Sequence, residues 1–379
     1  MSCDLKTEGN PMSQDETDNI LRAFERDASR RSVLRGLVAI GAGGLAFSQF
    51  AEALAQATSD EVAQLTILSQ PGVVPEILKD VTLPLYKKTH PKTEIAFEAA
   101  SNAVAYPKML AQRSNPVVSG AMVNDLFAQR GINDKMWDRF DPAFVPNIST
   151  LPAGFSTPGG FGIPFHLSPW GIMYNPDKVE EPKSWTDLWN PKYKGRVSMW
   201  DVYYDAYIMA GVVTGKGPDI EAGIKAWASH KENIGAWVNS PTAEEDLVSR
   251  GEMWLAPHWG SWTAMARSQG KNVAFTIPKE GGVQWTGHMQ VCAGFSPKVS
   301  ELTQRYLNTW LSDECQLAWI ERGFYSPAST RVKVPEALKS NPAIVSSEDA
   351  MAKLVHPDFV TMGAEMPRLK SMIDRTLKS

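Results

Sequence analysis

The sequence is poor in three things, and each scarcity closes off a class of function. Cysteine comes first, with 3 in 379 residues. Cys3 sits at the amino terminus, and Cys292 and Cys315 stand alone, without the close spacing of thiols and imidazoles that a zinc site needs. In an oxidising compartment the last two leave either one disulfide or two separate buried thiols open. Charge of one sign comes second: 38 Lys and Arg stand against 42 Asp and Glu, a net charge of -4. That balance supplies no basic face for nucleic acid or for an anionic membrane. Catalytic signatures come third. There is no G-x-S-x-G and no H-E-x-x-H, and GVVTGKG at 211–217 lacks one spacer and the closing hydroxyl of a phosphate loop. An exported hydrolase working through paired carboxylates is therefore the weaker alternative. Neither enzyme activity, metal nor cofactor is expected.

The amino-terminal segment SRRSVLRGLVAIGAGGLAFSQFAEALAQA reads as an export signal. Arg30 and Arg31 precede an apolar run from Gly36 to Phe50, shorter and richer in glycine than a membrane span of ~20 residues. An A-x-A site follows at Ala55, Gln56 and Ala57. The pattern S-R-R-x-V-L-R resembles the bacterial twin-arginine signal, whose receptor reads the arginine pair. Residues 1–57 are accordingly expected to be a signal peptide and the remainder periplasmic. No later apolar run is long enough to anchor it, and its length suggests two domains.

From Leu65 onward, strands and helices alternate. LTILSQ is a strand, Pro75 to Thr89 an amphipathic helix, and KTEIAFEAA a second strand. A helix from Ala105 to Arg113, a strand near Ala121 to Leu126 and a helix near Ala128 continue the series. Such alternation predicts an α/β fold with a mostly parallel sheet, and ligands in such sheets sit beyond the carboxyl ends of the strands. One of the loops there runs from Asn124 to Phe127 and offers Asp125.

Past Phe161 the texture becomes aromatic: ten of the 13 tryptophans lie between Trp170 and Trp285. GIPFHLSPWGIMYN reads as a strand, a proline-bounded bend and a second strand. WLAPHWGSW, Trp254 to Trp262, reads as a strand ending near Ala256 and a helix beginning about Ser261, because proline interrupts a helix. His258 and Trp259 are then placed in the turn, where side chains reach a ligand more readily than from a core.

Four segments resemble the extracellular solute-binding proteins of bacterial ABC importers, in particular the spermidine/putrescine-binding branch. They are IPFHLSPWGIMYN, SWTDLWNPKYKGRVSMWD, VAFTIPKEGGVQW and the turn ERGFYSPAS, in the family's order. The resemblance implies a type 2 periplasmic binding protein: two α/β lobes with mixed sheets flanked by helices, joined by crossing strands and closing on a ligand in the cleft between them. Residues 58–165 with 288–325 would form lobe 1, and 166–287 with 326–379 lobe 2. The implied partners are a small organic solute, of amine-containing or polyamine-like type, and a membrane permease, with the protein acting as a monomer. A periplasmic sensor shares the fold.

The same resemblance places ligand contacts at Asp201, after the YKG strand, at Trp285, after PKEGG, and at Phe324, in the glycine-led turn. Trp170, Tyr204, His258 and Trp259 complete the expected lining with Asp125. Two departures stand out. Gly287 occupies the place of a second aspartate, and Tyr204 that of an acidic partner, although Asp205 lies one residue further on. Fewer carboxylates favour one ammonium over two, and leave room for a zwitterion or anion met by His166, His258 or His288. A ferric site from Asp201 with Tyr203, Tyr204 and Tyr207 is a further alternative.

Overall fold

The computed structural model describes residues 63–152, 155, 158–200 and 203–379. The signal segment with Arg30 and Arg31, and the candidate Asp201, lie outside them. Among the described residues the strands are β1 (Gln64–Ser69), β2 (Glu94–Ala99), β3 (Gly120–Asn124), β4 (Trp137–Asp138), β5 (Ile163–Tyr174) and β6 (Val197–Trp200). They continue with β7 (Ile234–Val238), β8 (Leu255–Trp259), β9 (Ala274–Thr276), β10 (Gly282–Cys292), β11 (Ser326–Pro327) and β12 (Leu354–Val355). All belong to one mixed sheet with the spine order β2-β1-β3-β10-β5-β8-β6-β7; β4 and β12 add to β10, and β9 and β11 to β5.

The helices of nine residues or more are α1 (Asn102–Ala111), α2 (Asp125–Asn133), α3 (Asp205–Val213), α4 (Ile220–Ala228) and α5 (Pro241–Ser249). After them come α6 (Gly260–Ser268), α7 (Pro297–Asn308), α8 (Asp313–Gly323) and α9 (Phe359–Leu377).

The two long strands hold the halves together. β5 pairs antiparallel with β10 along one stretch and with β8 along its last residues, Trp170 to Tyr174. β10 in turn pairs antiparallel with β3 from Gly287 to Val291. Every residue of β10 is buried, as are all of β5 but Tyr174, as expected of strands covered on both faces. The expected bend within IPFHLSPWGIMY is absent: β5 runs unbroken through Pro164 and Pro169. The irregularity in the pairing is one extra residue on β5, Phe165, opposite the step from Gly287 to His288 on β10.

Two other boundaries move for local reasons. β8 continues through Pro257 to Trp259 rather than ending near Ala256. Its pairing with β6 is confined to Leu255, so the missing N–H of Pro257 leaves no gap on that side. α2 begins at Asp125, before Ala128, because the side chain of Asn124 caps it by accepting from Phe127 N at 3.2 Å.

Trp310, Trp319 and Tyr306 of the α7–α8 segment fill one core under β1 and β3, while Tyr207, Ile208 and Trp227 of α3 and α4 belong to a second. α9 packs on both α2 and α4. Cys292 and Cys315 are two separate buried thiols.

Gly287 has a packing reason of its own. A Cβ there would lie 2.4 Å from Cε1 of His166, and that ring cannot retreat, being stacked on Tyr325 at 3.9 Å between centroids. Gly287→Ala should therefore lower stability by about 1–3 kcal/mol, the usual cost of overpacking, read as a shifted urea midpoint. An unchanged midpoint would show that the His166 stack gives way.

Candidate functional site

Rings from separate strands and loops meet at the carboxyl ends of β6 and β8. Trp170 of β5 lies 4.1 Å from Trp259 of β8, and Tyr203 lies 4.9 Å from Trp259 and 5.4 Å from Trp285, all edge to face. Trp200, the last residue of β6, closes the group at 5.3 Å from Trp259. Phe359, the first residue of α9, lies 5.5 Å from Trp285. Trp170, Trp200 and Trp285 are almost fully buried in this packing, and aromatic faces carry the negative charge density that attracts ammonium groups.

Carboxyl groups flank this cluster on two sides. Asp205, the first residue of α3, is 2% exposed. Its Oδ1 accepts from Nε1 of Trp285, while its Oδ2 has no hydrogen-bond partner among the described residues. Burial pushes its pKa up to about 7, against the lowering effect of the Trp285 bond and with a smaller upward push from the charge of Asp125. Asp125 stands at the start of α2. Its Oδ2 accepts from the Thr286 amide at 2.5 Å, and its Oδ1 pairs with Nε2 of His288 at 2.8 Å. Both oxygens of Asp125 are thus engaged, and the free acceptor is on Asp205.

Of the expected contacts, Trp170, Trp259 and Trp285 come together, with Asp125 beside Thr286 on the adjoining strand. The others are set elsewhere. Tyr204 turns to α9 and donates from its hydroxyl to the carbonyl of Met366 at 3.2 Å. That parts it from Tyr203, which the ferric reading needs at the same centre. His258 is fully buried and faces α5, with Nε2 3.5 Å from Glu245 and Nδ1 3.9 Å from Glu244. Phe324 caps α8 in a left-handed conformation, φ 54, and packs with Ile320, Val334 and Ile344. Its neighbour Tyr325 is the ring that stacks on His166. None of the three histidines proposed to meet an anion brings it a charge from the ring cluster: His166 stacks on Tyr325 and burial pushes its pKa down to about 3, and the other two face carboxylates.

Trp200 and Phe359 were not expected in the site; Tyr203 was considered for the ferric alternative alone, and Asp205 as the acid one residue beyond Tyr204. Trp200 and Asp205 flank the expected Asp201 in MWDVYYD, so the segment was legible and the register within it was not. For Phe359 the sequence holds no signal, since its neighbour Trp285 is distant in the chain.

A family model described as bacterial extracellular solute-binding protein matches residues 117–354, more than half of the chain. The chain belongs to this family. The spermidine/putrescine-binding periplasmic protein 1 of Haemophilus influenzae is 22% identical over 266 residues, which are 66% of this chain and 73% of that protein. The spermidine/putrescine-binding periplasmic protein of Escherichia coli is 24% identical over 249 residues, 61% of this chain and 67% of that protein. Among solved structures, an ABC transporter substrate-binding protein from Bradyrhizobium japonicum aligns with a TM-score of 0.68 at 19% identity, covering 82% of this chain and 99% of that one.

The fold is therefore that of the two-lobed periplasmic binding proteins. The solute-binding protein is the substrate-binding component of an ABC transporter, taking up a small ligand and meeting a membrane permease. Among the described residues no helix is long and apolar enough to cross a membrane.

Native Asp205 keeps a proton that the unfolded chain releases near pH 3.8, so its contribution to stability is lost as pH rises from about 4 toward about 7. Urea midpoints of wild type and Asp205→Asn measured across that range should diverge, with the variant losing less stability. Parallel curves would place the native carboxyl near its ordinary pKa.

Proposed function

We propose that the cleft captures a small primary amine with an alkyl chain, for delivery to the permease from the periplasm. The observation that carries this reading is Asp205, a buried carboxyl with one oxygen unpartnered among the described residues, hydrogen-bonded to a tryptophan inside a cluster of rings. An ammonium has the donors to fill that oxygen and a charge for the ring faces, and its methylenes suit the apolar remainder. The two relatives named for spermidine and putrescine support an amine. The engagement of both Asp125 oxygens supports one strong ammonium site rather than two.

Closure would turn about the β5–β10 pair, populating a state in which Asp125 and α2 from one half approach Asp205 and α3 from the other.

Calorimetry against butylamine, putrescine, spermidine, choline and glycine betaine tests the ligand. Butylamine, with a single ammonium, should bind more tightly than spermidine, and betaine least, because its carboxylate would enter beside Asp125 and Asp205. Asp205→Asn should weaken the best amine by ~1.5–3 kcal/mol, about tenfold to about a hundredfold. Since a cation prefers the ionised carboxyl, wild-type affinity should rise as pH increases through about 7, and that rise should vanish in Asp205→Asn. Sub-micromolar spermidine binding would restore the plain polyamine reading, and preference for betaine would overturn the amine.

The export route is part of the same proposal and rests on SRRSVLR alone. Replacing Arg30 and Arg31 together by lysine should leave the precursor in the cytoplasm on fractionation, since the receptor is expected to read both guanidinium groups. Undiminished periplasmic yield would point to the general secretion route.

A further inference from the structure

Behind the aromatic cluster lies a second buried group of ionisable residues that ligand capture leaves unused. α5 turns Glu244 and Glu245 inward, 0% and 4% exposed. The carboxyl of Glu244 reaches β6 twice: Oε1 accepts from Ser198 Oγ and Oε2 from Trp200 Nε1, each at 2.6 Å. Ser198 and Trp200 are two apart on one strand and so share a face. One carboxyl thus holds the end of the strand whose last ring, Trp200, lies 5.1 Å from Tyr203 and 5.3 Å from Trp259.

The surroundings of that carboxyl suit an acid better than an anion. The titratable groups packed around it are Glu245 on its own helix and His258 on β8, whose nitrogens make no hydrogen bond among the described residues. The nearby cation, Lys271 from the segment after α6, is held by Glu245 at 2.8 Å and Asp246 at 3.0 Å. A carboxylate at Glu244 would be a buried charge beside a second carboxylate and without a cation of its own. As the neutral acid, Glu244 can donate to Ser198 Oγ through its own O–H and still accept from Trp200.

We propose that Glu244 is a positioning residue for the ligand site: in its neutral form it fixes the Trp200 indole, and through it the aromatic wall, and loss of its proton changes the setting of that wall. The proposal rests on the reading of the ring cluster as the ligand site. Burial pushes the Glu244 pKa up to about 8, against the Ser198 and Trp200 bonds and with the help of the Glu245 charge, so the change falls just above neutral pH. His258, pushed down from its ordinary value by burial against the pull of Glu245, is already uncharged in the range where Glu244 titrates.

The first arm of the test needs no ligand. In nitrogen-15 spectra of the full chain, the indole N–H of Trp200, identified by its loss in Trp200→Phe, should shift with a midpoint near pH 8. It should stay fixed in Glu244→Gln, whose amide can accept from Trp200 and donate to Ser198 without titrating. In the second arm, putrescine affinity at neutral pH should be kept within about threefold by Glu244→Gln and fall about tenfold or more in Glu244→Leu, which offers Trp200 no acceptor. A wild-type resonance that stays flat through pH 8, or one that still titrates in Glu244→Gln, overturns the proposal. So does a Glu244→Leu variant that folds and leaves the resonance in place. If no amine binds, the amine reading fails by itself, and the spectra still decide the role of Glu244.

Discussion

The antiparallel pairing of β5 with β10 is the constraint from which the rest of the molecule follows. Each strand spends one end in each half of the sheet, β5 finishing against β8 and β10 against β3. Because both are buried, their pairing fixes which residues of each half face one another, and it brings Trp170 and Trp285 onto adjoining strands. The helices that start at the ends of the neighbouring strands, α2 after β3 and α3 soon after β6, then point their first residues, Asp125 and Asp205, toward the same region. Helix N-termini carry partial positive charge, so a carboxyl in the first turn is favoured at both places even before a ligand is considered.

The proposed ligand site and the support behind it differ in how their carboxyls are used. In the proposed site an oxygen of Asp205 has no partner among the described residues, a condition that costs stability and would be relieved by a bound donor. Behind the site Glu244 uses both oxygens, and its bonds to Ser198 and Trp200 hold the wall. On this reading the open acceptor of Asp205 faces the ligand, while the two bonds of Glu244 order the wall behind it.

Much of this was legible in the sequence, because strand patterning and the aromatic segments both depend on local composition. The alternation from Leu65 onward matches the first strands and helices, and SMWD with PKEGGVQW pointed to the segments that carry Trp200 and Trp285. What the sequence hid has physical causes. The bend anticipated in β5 failed because burial on both faces and partners on both edges outweigh two prolines. His258 was placed in a turn, yet the strand runs on through it to Trp259 and carries its side chain to the α5 side, since neighbouring strand residues point to opposite faces. Gly287 looked like a lost carboxylate, and its space is taken by the His166 ring, a contact between β10 and β5 that spacing along the chain does not reveal.

The layout of the ring cluster also bears on how the chain comes to its final form. Phe359 belongs to the last long helix, and the sheet places β10 between β3 and β5, so its central pairings join segments far apart in sequence. Contacts of that kind demand closure of large loops before they return any stabilisation, which makes folding slow. No amino-terminal fragment that ends before Phe359 contains all the rings of the cluster. The capacity to hold a solute therefore arises late and as a whole, only once the final helix has been made and has docked.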